Sequence, residues 1–138
     1  MAYSPKTTNT LPVPVEPAVL SIHLVGPDTA TTDQAVSIPW KDCRLTYAYT
    51  VTTVAEGNQG AVGIDFELDA ADGSAIGTIT VAQNSAVGDI AEIASIDDAY
   101  ANNLDRADTS RDAINVEVTC GATTTWQGTL FMYFERNQ

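Results

Sequence analysis

A chain of 138 residues, 44% hydrophobic and 17% charged, is globular in composition and long enough to bury a core without staples or metals. Its 18 acidic residues against 6 basic ones give a net charge of −12, which disfavours nucleic acid and anionic membranes as partners. No run approaches the roughly 18 apolar residues of a membrane span, and "MAYSPKTTNTLPVPVEP" lacks the apolar stretch of a secretory signal, so synthesis and assembly are expected in the cytoplasm.

Residues 1–18 read as a Pro-rich arm and 19–138 as one β domain. Pro5, Pro12, Pro14 and Pro17 fix φ and remove donors, which favours extended backbone over helix or inner strand. The segment is either a frayed end or an arm lying along a neighbouring subunit. Leu11, Val13 and Val15 alternate with proline or polar positions and could dock on an apolar groove.

Alternating apolar patterns then recur between turn signals. "VLSIHLV" (19–25) puts Leu20, Ile22 and Leu24 on one face, and "AVSIPW" (35–40) is a short strand stopped by Pro39. "CRLTYAYTVTTV" (43–54) is expected to turn Cys43, Leu45, Tyr47, Tyr49 and Val51 inward, with Arg44, Thr46, Thr50 and Thr52 outward. "GNQGAVG" (57–63) reads as a hairpin loop. "VGIDFEL" (62–68) sets Val62, Ile64, Phe66 and Leu68 inward and Asp65 and Glu67 outward. Asp72-Gly73 is a favoured turn dipeptide before "AIGTITV". "AINVEVTC" (113–120) aligns Ile114, Val116, Val118 and Cys120.

Two segments break the pattern. Residues 90–111 form a long excursion, with one or two helical turns expected after Ser95 or Asp97. The last strand, "WQGTLFMYFE" (126–135), is apolar on both faces: Trp126, Leu130, Met132 and Phe134 on one, Phe131 and Tyr133 on the other. Such a strand is expected to be covered twice, either by the 90–111 excursion or by another chain. The fold class that follows is an all-β antiparallel sandwich of about seven or eight strands, jelly-roll or Ig-like, with an extended N-terminal arm.

Reactive chemistry is scarce in the sequence. The single histidine, His23, lies opposite the presumed core positions and is expected at the surface or an interface. No nucleophile, nucleotide or metalloprotease motif occurs, so no enzyme activity, cofactor or metal is expected. The alternating carboxylates Asp65, Glu67 and Asp69, with Asp72 in the turn, read as a solvated face ahead of a cation site; Asp97, Asp98, Asp105 and Asp108 read likewise. Cys43 and Cys120 have inward parity and would approach each other only on adjacent antiparallel strands; reduced, core-filling thiols are expected.

From about residue 35 onward, the order of "SIPW", "LTYAYTVTTV", "GIDFELDAADGSAIGTITVA", "NSAVGDI" and "AINVEVT" resembles small virion structural proteins of tailed bacteriophages, of the capsid decoration or cement type. The resemblance implies a non-enzymatic protein on the capsid surface that binds the major capsid protein of its virion and opposes separation of capsomers. It also implies a homo-oligomer, a trimer ahead of a dimer because capsid lattices offer three-fold positions. Leu11, Val13, Val15, Trp126, Phe131 and Tyr133 are the interface candidates. The alternatives are a tail or fibre component with a sugar- or receptor-binding sandwich, which exposed Trp126 or tyrosines would serve, and, more remotely, a small hydrolase.

Overall fold

Each alternating segment becomes a strand because its apolar side needs a second sheet to cover it. In the computed structural model, residues 18–26, 31–40, 42–55, 60–68, 74–102, 104–120 and 126–137 are described. The strands are β1 (Ala18–Val25), β2 (Thr31–Ser37), β3 (Asp42–Val54), β4 (Val62–Leu68), β5 (Ser74–Val81), β6 (Ile90–Glu92), β7 (Leu104–Asp105), β8 (Ala113–Cys120) and β9 (Gln127–Arg136). One helical turn, α1 (Asp98–Ala101), is capped by the Asp97 carboxylate, which accepts from the Ala99 N–H at 3.0 Å. Ala18 belongs to the first strand rather than to the arm; the rest of the arm, residues 1–17, lies outside the described residues.

One sheet runs in the order β1-β9-β3-β6, with β7 also on β3, and the other β2-β8-β4-β5; all pairings are antiparallel. With the two-residue β7 set aside, this interleaving of early and late strands is that of a jelly roll rather than an Ig-like sandwich. The core between the sheets is built from Val62, Ile64 and Phe66 of β4, Ile114, Val116 and Val118 of β8, and Leu130, Met132 and Phe134 of β9. These are the inward positions that period two predicts.

In β3 the expected facing fails after Leu45. Leu45 pairs with Phe134 and Tyr47 with Tyr133, so Thr46 is an extra residue and the parity reverses there. The Thr46 hydroxyl donates to the Tyr133 carbonyl at 3.2 Å, which ties the bulge down. Beyond it Ala48, Thr50 and Thr52 are buried, and Tyr47, Tyr49 and Val51 face outward. Burying Thr52 is possible because its hydroxyl accepts from the Trp126 indole N–H at 2.9 Å. Trp126, an interface candidate, is therefore an inside residue with no exposed surface. Its ring lies against Gly128, where a Cβ would come within 2.4 Å of it.

The topology corrects one further expectation and decides a conditional one. "GNQGAVG" is no hairpin loop: it joins β3 in one sheet to β4 in the other. Cys43 and Cys120 are both buried and form no disulfide, as expected of core-filling thiols; they sit on β3 and β8 in opposite sheets, so the adjacency that would bring the sulfurs together does not arise. Burial pushes the Cys43 thiol up to about 11, which keeps it protonated and inert at neutral pH.

The two flanks of the sandwich differ. Along one, residues 93–97 stitch the sheets together: the Ile93 N–H donates to the Ala48 carbonyl of β3, and the N–H groups of Ala94 and Asp97 donate to Thr78 and Ile76 of β5. Gly77 admits this crossing, since a Cβ there would meet the Ser95 carbonyl oxygen at 2.5 Å. On the other flank, β1 and β2 end their sheets with no described strand beyond them.

Candidate docking face

The bulge in β3 has a chemical consequence on the outside of the five-stranded sheet. It brings Tyr47 and Tyr49 to the same face as Phe131 and Tyr133 of the adjacent β9. Tyr49 stacks on Phe131 with ring centroids 5.0 Å apart and planes at 21°, while Tyr47 lies 5.6 Å from Tyr133. Tyr49 and Tyr133 are 6.2 Å apart, closing a four-ring cluster in the middle of the sheet. All four residues are only half-buried, and they touch one another across the two strands. That excursion lies in plane, with β6 and β7 pairing along the far edge of β3.

Polar groups frame the rings. The Tyr47 hydroxyl donates to Glu92 Oε1 at 2.7 Å, and this bond holds the phenol up to about 12, since ionising it would set two anions together. Tyr49 is raised as well, chiefly by its hydrogen bond with Tyr133. Both phenols are thus neutral at physiological pH. His23 lies on the same face, exposed, with Nε2 3.0 Å from Gln127 Oε1. Arg44 and Glu135 form an ion pair of 2.9 Å further along. Val19, Val25 and Ile90, 47%, 52% and 62% exposed, extend the apolar surface toward both edges.

The outside of the other sheet is opposite in character. Asp33, Glu117 and Asp65 follow one another across β2, β8 and β4 in register. Asn115 donates to Asp33 at 3.1 Å and the Thr78 hydroxyl to Asp65 at 2.7 Å. Among the described residues no three carboxylates, histidines or cysteines are grouped to hold a metal. Asp69 and Asp72 lie outside the described residues. Of the second acidic group, Asp97 caps α1, and Asp108 accepts from Ser110 and Arg111, which lowers its carboxyl to about 2. Asp105 accepts from the Ala107 N–H and lies 3.8 Å from Arg111, while Asp98 is exposed in the first helical turn. Turn-building accounts for this group.

The structure thus unites Phe131 and Tyr133 with two tyrosines that the alternation rule had turned inward. Trp126 is removed to the core, and Leu11, Val13 and Val15 lie outside the described residues. The "TYAYT" spacing was the available signal for Tyr47 and Tyr49: either parity puts both rings on one face, and only the bulge decides which.

No protein-family model matches the chain, and the comparison with curated proteins gives no match. Among solved structures the chain is similar to CsCBM6-3 from Clostridium stercorarium, determined in complex with cellobiose. The identity is 14% and the TM-score 0.40, over 91% of this chain and 85% of that one.

Proposed function

We propose that this protein is a non-enzymatic virion structural protein of the capsid decoration kind. It would seat the aromatic face of its five-stranded sheet on an assembled shell of major capsid protein, and so reside on the capsid surface. The observation that carries this reading is the cluster of Tyr47, Tyr49, Phe131 and Tyr133, apolar and aromatic on one side of a molecule whose other side is acidic. Exposed aromatic residues gathered in one patch are what protein interfaces concentrate, because they bury much area at little entropic cost. Binding only the assembled shell opposes its dissociation by mass action. Jelly rolls serve viral coats and lectins alike, so the fold is support by analogy alone.

Phe131→Asp tests the reading. The side chain lies outside the core, so circular dichroism should show an unchanged fold, with loss of about 0.5–1.5 kcal/mol for the Tyr49 stack. Co-sedimentation with capsids should be abolished, because a carboxylate would be desolvated there without a partner. A folded variant that still sediments with shells overturns the reading.

A second reading, a sugar-binding component of a tail or fibre, draws on the Tyr47–Glu92 and His23–Gln127 pairs, which set hydrogen-bonding groups beside stackable rings. A glycan array separates the two, since saccharide binding lost in Tyr49→Ala with shell binding absent throughout would favour the second.

A further inference from the structure

We infer that the free edge of β1 is the receptor for the N-terminal segment of a second copy of this chain, so that the protein assembles by exchanging arms. Three observations meet there. The first is the open flank: β1 ends its sheet, with β9 on one side and no described strand on the other, whereas residues 93–97 close the opposite flank.

The second is an incomplete core beneath that edge. On the inner face of β1 Leu24 is buried, but Leu20 and Ile22 are covered only in part. Further along the same flank, at the Leu24 end of β1, a groove of about 230 Å³ opens between β1 and β2, lined by Leu24, Val116 and Val118 and by the polar His23, Asp33 and Gln34. One further strand outside β1, with apolar side chains pointing inward, would cover Leu20 and Ile22 as cross-strand neighbours.

The third is the chemistry of "TLPVPVEP", residues 10–17. In an extended strand, residues of one parity share both a sheet face and an edge toward which their N–H and C=O groups point. Leu11, Val13 and Val15 have one parity, and Pro12 and Pro14 the other. Within residues 11–15 both missing donors therefore fall on one edge, and the opposite edge keeps the N–H groups of Leu11, Val13 and Val15; Pro17 has their parity and limits that donor edge to the residues before it. Such a segment can join a sheet once, as its outermost strand, and its proline edge then refuses any further strand. Each residue before a proline is also biased to extended backbone.

The donor must be another copy, because the segment cannot easily fold back on its own β1. A two-residue turn from Val15 to Ala18 would place Glu16 and Pro17 at its centre. Type I′ requires positive φ at both positions, which Pro17 cannot adopt, and type II′ requires it at Glu16. A longer turn would draw Val15 out of the strand. Exchange around a closed ring uses every arm and every β1 edge.

The test needs no capsid, so its failure is separable from failure of the decoration reading. Light scattering on the full chain should give an oligomer, and deletion of residues 1–15 a monomer with an unchanged circular dichroism spectrum. Val13→Pro removes a donor facing β1 and should weaken association by about tenfold or more, whereas Pro14→Ala, on the outer edge, should leave it intact or promote larger species. A monomeric full chain, a deletion that stays oligomeric, or equal association of Val13→Pro and the parent overturns the proposal.

Discussion

The buried end of the sandwich turns on three residues that read poorly in isolation. Trp126 gains a place in the core only because Thr52 accepts its N–H and Gly128 leaves room for the ring. Thr52→Val keeps the volume and removes the acceptor; a urea titration should show a loss of about 1–3 kcal/mol, the cost of a buried polar group stripped of its partner. On the surface, Tyr47 is the residue whose protonation the fold alters. Its folded value of about 12 exceeds the ordinary 10, so its contribution to stability is complete below 10 and is lost as pH rises toward 12. Phenolate absorbance should therefore appear later in the native protein than in urea. Glu92→Gln keeps an acceptor but removes the neighbouring charge, and should bring that step to lower pH without changing behaviour at neutral pH.

At the scale of the element, legibility depended on whether a strand was regular. In β4 and β8 the residues alternate cleanly, and the inward sets Val62, Ile64, Phe66 and Ile114, Val116, Val118 are all legible in the sequence. β3 was readable as a strand but not in its facing, because one inserted residue reverses the side chains from Tyr47 to Thr52 and nothing in "RLTYAY" marks Thr46 as the insertion. The candidate face inherits that limit: Phe131 and Tyr133 were visible from the double apolar character of β9, while Tyr47 and Tyr49 joined them only through the bulge. The crossing at 93–97 was likewise hidden, since its bonds are backbone to backbone and its one sequence mark is the absence of a Cβ at Gly77. Gly77→Ala should push the Ser95 carbonyl away and cost about 1–3 kcal/mol. Hydrogen exchange should show the amides of Ile93, Ala94 and Asp97 losing protection while those of β8 keep theirs.

Across the whole molecule, the aromatic cluster and the row of Asp33, Glu117 and Asp65 lie on opposite sheets, and that separation makes the mode of binding measurable. Asp33, Glu117 and Asp65 lie in register on one outer face, and like charges directly opposed across strands oppose folding. Neutralising Asp65 and Glu117 together, to Asn and Gln, should raise stability by about 0.2–1 kcal/mol. If the aromatic face alone meets the shell, the same double variant should bind capsids as the parent does. Salt should matter little over the range in which the screening length falls from about 30 Å to about 8 Å, because buried apolar contact is not screened. Tyr49→Ser, in contrast, should weaken binding by about tenfold, the loss of roughly 1.4 kcal/mol of ring contact, at every salt concentration. Steep weakening with salt, or a binding defect in the acidic-face variant, would transfer the interface to the other sheet and leave the aromatic cluster with another role.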